Sequence, residues 1–183
     1  MKASFFKVFT LIIIGLFLSC SDNDDNVDNN ITNPEDLDFT GQAFGCGNFF
    51  VVQFLSDDNL NTVLWVEGSG RENLELTSEI QDFSLPNDNL NINIQLWDGP
   101  VNDLFCTDIA LPNQPVLLNT WTAISGNLRV SVSNVETDET ISLSTFYNVT
   151  NTLDNVLFEN ENGEQILIES LSIEDVSVCF FAG

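Results

Sequence analysis

The chain has 183 residues and a formal net charge of −24 at pH 7, with 28 acidic residues, four basic residues and no histidine. This charge excludes nucleic acid as a partner, because proteins bind its phosphates through clusters of lysine and arginine. Hydrophobic residues make up 43% of the chain, and phenylalanine alone occurs 15 times, so a core of ordinary size can form.

The chain begins with the features of a secretory leader. Lys2 and Lys7 precede an apolar run over residues 8–18, which is shorter than the roughly 20 residues that span a bilayer. Cys20 directly follows Ser19, and this junction resembles the lipobox of bacterial lipoproteins. The resemblance implies that residues 1–19 are a signal peptide that is removed, and that Cys20 carries fatty acyl chains. An ordinary cleaved leader with a chance cysteine is the alternative.

A polar, acidic stretch follows the cysteine. Residues 21–30 are almost entirely aspartate and asparagine, so they cannot bury enough apolar surface to fold. We expect residues 20–37 to be a disordered tether. The stretch resembles the acidic signal of surface-exposed lipoproteins of the Bacteroidota type, which implies a place on the outer membrane; a spacer without sorting information is the alternative. A calcium loop is not expected, because the required glycine and terminal glutamate are missing.

Residues 38–183 are predicted to form one domain of β-strands. Residues 49–55 are apolar on both faces except for Gln53, which predicts a central strand. Apolar and polar residues alternate along residues 90–96, 128–133 and 141–149, the pattern of half-buried strands.

Turn-forming residues separate these runs. They lie at residues 56–59, 68–70, 86–89, 98–100 and 125–127, and Asn162-Gly163 indicates a hairpin. No helical stripe is present. The predicted fold is therefore an all-β antiparallel sandwich, with a β-barrel as the second choice.

Three cysteines remain after Cys20. We predict a disulfide between Cys46, which lies between two glycines, and Cys106, which lies at the start of a loop. Cys179 lies within an apolar terminal strand and is expected to be a buried free thiol; a Cys46–Cys179 pair is the alternative. No metal site is expected, because the spacing lacks a C-x-x-C pair and histidine is absent.

The composition also excludes most catalytic sites. Histidine-dependent triads cannot form. Both lysines lie in the leader, which leaves Arg71 and Arg129 as the only strong bases beyond it and excludes a lysine Schiff base. Two carboxylates suffice for glycoside hydrolysis, but the sequence selects no pair. We therefore expect neither an enzyme nor a cofactor, and a glycosidase is the least favoured alternative.

Binding is the more plausible activity. Alternation places Asn91, Asn93, Gln95 and Trp97 on the polar face of one strand, followed by Asp98. A tryptophan on such a face can stack on a sugar ring while amides and carboxylates bind its hydroxyls. The competing interpretation is that Trp97 packs beneath a loop. Trp65 and Trp121 are predicted to pack in the core.

The domain itself is similar to small lipid-anchored β-sandwich proteins of unknown function from the same bacterial group. The similarity rests on the glycine-flanked Cys46, the stretch at residues 121–126 and the closing pattern at residues 153–183. It implies no activity. The sequence thus predicts a non-enzymatic lipoprotein of the outer membrane, held by the lipid on Cys20. The alternatives are a glycan- or ligand-binding module and a structural or envelope-assembly protein that contacts another envelope protein.

Overall fold

The computed structural model describes residues 37–47, 49–68, 76–77, 79–107, 112–138 and 144–180. The leader and nearly all of the predicted tether lie outside these residues. Within them the chain forms eight strands and no helix. The strands are β1 (Ala43–Cys46), β2 (Phe50–Ser56), β3 (Asn59–Gly68), β4 (Gln81–Leu85), β5 (Leu90–Trp97), β6 (Leu117–Asp138), β7 (Ser144–Glu159) and β8 (Gln165–Phe180).

All neighbouring strands pair antiparallel, in the order β1-β2-β3-β5-β6-β7-β8, and β4 pairs with β6 beside β5. The sheet curls into a half-barrel, so that its first strand approaches its last. Gly45 of β1 lies so close to β8 that a Cβ atom on it would be 2.6 Å from the carbonyl oxygen of Ser177. The all-β antiparallel prediction is confirmed, and the curled sheet is consistent with the predicted sandwich or barrel class.

The predicted alternation places apolar side chains on one face of the sheet. Leu90, Ile92 and Ile94 of β5 are buried there, and so is Trp121 of β6, as the sequence predicts. The side chains of this face form one cluster, here called the inner core, which draws on the seven strands β2 to β8. Its largest fully buried members are Phe49, Leu64, Ile94, Leu128, Leu153, Phe158, Ile166 and Ile173.

A second, smaller cluster lies on the opposite face of β2, β3 and β5. It contains the buried residues Val52, Phe54, Val63 and Val101, with Phe44, Phe50, Leu60, Trp97, Leu104 and Phe105 partly buried against them. We call it the outer cluster. Trp65 packs beside it, with ring centroids 5.0 Å from Phe50 and 6.0 Å from Phe105. Trp65 is therefore packed, but only partly buried and on the face opposite the inner core.

The turn predicted at residues 125–127 is wrong. β6 runs without interruption through this point, and Gly126 forms a bulge with a φ of +114°. The bulge coincides with a change of partner: one edge of β6 pairs with β5 at residues 117–122 and with β4 at residues 126–130. A glycine with positive φ is used in bulges as well as in turns. Gly126 therefore does adopt an unusual backbone conformation, but within a strand and not in a turn.

Other turns agree with the predictions. Ser56 pairs with Asn59 across the two-residue β2–β3 turn, and β5 ends at Trp97 just before the predicted turn. The β7–β8 hairpin has five loop residues, and Oδ1 of Asn160 accepts hydrogen bonds from the backbone amides of Asn162 and Glu164 at 3.0 and 2.9 Å. Ile141 and Leu143 lie outside the described residues.

Candidate functional site

Cys20, the predicted lipidation site, lies outside the described residues. The folded part begins close after the predicted tether: Phe39 is buried in the inner core, and the Thr40 amide donates to the Leu55 carbonyl oxygen at 2.9 Å. In the described part of the chain, no helix is long and apolar enough to cross a membrane.

The predicted disulfide between Cys46 and Cys106 is confirmed, with a Cα–Cα distance of 5.7 Å. It joins the edge strand β1 to the loop that follows β5. This loop carries Val101, Leu104 and Phe105 of the outer cluster, so the covalent bond holds the loop against the sheet. Because both cysteines are used, neither is available to Cys179. Cys179 lies in β8, where its backbone pairs with that of Phe146 in β7, and its side chain lies outside the described part of the structure.

The predicted polar face of β5 is largely covered. Asn93 and Gln95 are only 6% and 7% exposed, and Trp97 is half-buried against the outer cluster. The indole nitrogen of Trp97 is buried. Only Asn91 remains exposed, and its Oδ1 accepts a hydrogen bond from Nδ2 of Asn93 at 2.7 Å. The competing interpretation, that Trp97 packs beneath a loop, describes this arrangement, and these residues do not form an open platform for a sugar ring.

Asp98 has a different position from the other four. It is exposed, and its Oδ1 accepts a hydrogen bond from the Val116 amide at 2.7 Å, while its own amide donates to the Val116 carbonyl oxygen at 3.0 Å. These two bonds fix the start of β6 beside the end of β5. Asp98 also borders a shallow surface pocket of about 410 Å³, whose other walls come from residues 99–100, 103–104 and 112–115.

A second surface pocket, which the sequence did not reveal, lies on the outer side of β4, β6, β7 and β8. We call it the polar groove. It has a volume of about 330 Å³ and is lined entirely by polar side chains, namely Asp82, Asn127, Arg129, Thr152, Asp154 and Ser170. At its centre Nε of Arg129 donates to Oδ1 of Asp82 at 2.8 Å, and both side chains are more than half exposed.

Strand register creates this groove. Arg129 pairs with Asp82 on one side and Thr152 on the other, and Asn127 pairs with Asp154, which in turn pairs with Ser170. The groove therefore presents two carboxylates, a guanidinium, an amide and two hydroxyls on one face. Such groups bind the hydroxyls of a polar ligand, because together they supply both donors and acceptors.

No group of three or more cysteine, aspartate or glutamate side chains arranged to hold a metal ion occurs among the described residues. Comparison of the chain with family models, with curated proteins and with solved structures found no match.

Proposed function

We propose that this chain is a lipid-anchored protein of the bacterial outer membrane, whose β domain binds other molecules and catalyses no reaction. The observation that carries the proposal is the junction at Ser19-Cys20, which follows a basic start and a short apolar run and precedes a polar acidic stretch. Each part has a role in such a protein: the leader directs export, the cysteine takes the lipid, and the polar stretch separates lipid from domain.

The position at which the folded domain begins supports a tether between the lipid and the domain. Because the first buried core residue of the described chain is Phe39, about 18 residues lie between Cys20 and the domain, and they reach at most about 60 Å when fully extended. A flexible chain of this length has an average span of only about 20–25 Å. The domain would thus stay near the membrane surface, within reach of membrane proteins.

The absence of catalysis is supported by composition. Without histidine, the chain lacks the commonest general base at neutral pH. Both lysines lie in the predicted leader, so the domain also lacks the amine that a Schiff-base mechanism requires.

The anchor is tested with Cys20→Ala, and with Ser21→Ala as a matched control. Cells that express either variant are labelled with a palmitate analogue and fractionated without detergent. We expect the control to be labelled and to remain with membranes, because it keeps Cys20. The several acyl chains on that cysteine are what stable anchoring needs. Cys20→Ala should lose the label and leave the membrane fraction or remain uncut. If it stays membrane-bound after cleavage, the proposal is wrong.

Glycan binding is the second candidate, and the polar groove favours it over the covered face of β5. A glycan array probed with the purified protein and with Arg129→Ala would test it. Thr150→Ala provides the control, because Thr150 lies on the adjoining β7 but does not line the groove. Loss of a glycan signal in Arg129→Ala alone would support the groove as the site, and equal signals in all three proteins would exclude it.

A further inference from the structure

The first part of β6 has an open edge. β5 pairs with residues 117–122 of β6 on one side, but on the other side pairing with β7 begins only at Thr122, opposite Glu159. Among the described residues, no strand pairs with this side of residues 117–121, which we call the open edge. Beside this edge the amide of Thr120 donates to the side-chain Oδ1 of Asn119 at 2.8 Å.

The open edge is apolar as well as unpaired. Val116, Leu117 and Leu118 are 60%, 42% and 56% exposed. The register against β5 shifts here: Asn119 lies opposite Leu96 and Leu117 lies opposite Trp97, so Leu118 is the extra residue of a bulge. Both leucines leave apolar surface exposed beside the edge. Proteins usually protect such edges with proline or with charged residues, especially lysine, but residues 116–121 contain neither. An unprotected apolar edge is typical of a site that another chain covers.

The charged residues around the open edge indicate which charge a chain that covers it should carry. Asp98 bonds to the backbone of Val116 at one end. At the other end Glu159 pairs with Thr122, and Glu164 contacts Asn160, whose amide reaches Asn119. The only described cation is Arg129, which is paired with Asp82 far along β6. A second copy of the chain would bring like charges together across the edge, which is unfavourable, whereas lysine and arginine would be attracted.

We propose that the open edge binds an extended segment of another envelope protein, in which apolar residues alternate with lysine or arginine, and that the segment adds a strand to the sheet beside β6. Main-chain hydrogen bonds supply affinity in this mode, and alternate side chains supply specificity. The two Asp98–Val116 hydrogen bonds hold one end of the edge in place before binding, which lowers the entropy cost of docking. That the partner is an envelope protein rests on the proposed function, whereas binding of a basic extended segment at the edge does not depend on whether Cys20 is acylated.

The test uses a synthetic peptide of alternating valine and lysine as the probe. Two control peptides carry proline at alternate positions, which removes amide donors, or glutamate in place of lysine. Binding is measured by fluorescence anisotropy, and its location by amide hydrogen exchange of the purified protein. We expect only the valine–lysine peptide to bind and to slow exchange at residues 117–121. Binding without protection there, or no binding, would overturn the proposal.

A matched pair of variants separates the open edge from general apolar exposure. Leu118→Lys places a charge on the edge, and Leu167→Lys makes the same change at a side chain of similar exposure, 51%, on β8. We expect Leu118→Lys to weaken peptide binding by about tenfold or more, the equivalent of losing one leucine contact, and Leu167→Lys to leave it unchanged. Equal loss in both would contradict the proposal. Should Leu118→Lys fail to fold, Leu118→Thr provides the same comparison without the charge.

Two other occupants of the edge give distinct results. A concentration-dependent dimer of the protein alone, abolished by Leu118→Lys in sedimentation experiments, would identify a second copy instead. Binding to vesicles of phosphatidylethanolamine and phosphatidylglycerol, abolished by the same change, would identify the lipid surface. Either result would overturn the assignment to a basic, extended partner.

Discussion

Gly126→Ala should be among the most destabilising single-methyl additions in this domain. Gly126 has a φ of +114°, and a Cβ atom there would lie 2.5 Å from the carbonyl oxygen of Asn155 and 2.6 Å from Cα of Val156. A residue with a side chain in such a conformation costs about 1–3 kcal/mol, and displacing packed backbone costs a further 1–3 kcal/mol or so. We expect the free energy of unfolding to fall by about 4 kcal/mol, which is a large part of the roughly 5–15 kcal/mol that is typical of native proteins.

Gly163→Ala is the matched control, because Gly163 also has a positive φ, +78°, but nothing lies within 4 Å of its Cβ position. Its free energy of unfolding should fall only by the cost of placing alanine in a left-handed backbone conformation, about 1–2 kcal/mol. Urea unfolding followed by circular dichroism gives both free energies by linear extrapolation. If the two variants lose the same amount, the steric part of the argument is refuted, and Gly126 is needed only for its backbone conformation.

The disulfide, Trp97 and Asn151 give three further predictions. Replacing Cys46 and Cys106 together with serine should lower the free energy of unfolding by roughly 4 kcal/mol, the chain-entropy value for a loop of this size; an unchanged urea midpoint would contradict this. Trp97→Ala should cost about 3 kcal/mol, because the ring packs against the outer cluster, and a loss below about 1 kcal/mol would indicate a ring in solvent. Asn151→Leu should raise the free energy of unfolding by about 1–2 kcal/mol, because Asn151 is fully buried and neither of its amide atoms has a partner among the described residues. A loss of stability in that variant would reveal a hydrogen-bonded partner.

The inner core was accessible from the sequence because its signal is local. Ile92 and Ile94 alternate with polar residues, and a period of two is enough to identify the buried face of a strand. The hairpin at Gly163 was predictable for the same reason, since its turn residues and flanking strands are neighbours in the chain.

The opposite face of β5 was harder to predict, because its cover comes from elsewhere. Asn93 and Gln95 are polar and alternate with aliphatic residues, so the sequence indicates a solvent-facing side. The loop that carries Val101 and Phe105 folds back over this side and is tied to β1 by the disulfide. The disulfide was predicted, but the positions of the two cysteines in the chain do not indicate which face of the sheet the loop after β5 covers.

The polar groove could not be predicted because its residues are far apart in the chain. Asp82, Arg129 and Asp154 belong to three strands, and only the register of the sheet makes them neighbours. A shift of one residue in any pairing would move the side chains of that strand to the other face. Among 28 acidic residues, no sequence pattern distinguishes these two aspartates.

The 22-residue strand β6 has a consequence for how the domain comes apart. Because β4, β5 and β7 all pair with it, neither end of the sheet can detach without breaking hydrogen bonds to a strand that the other end also needs. Local opening should therefore be confined to the loops and the outer strands, and the amides in the middle of β6 should exchange with solvent only when the whole domain unfolds. A protease that cuts an exposed loop would then leave the two fragments held together by this shared strand.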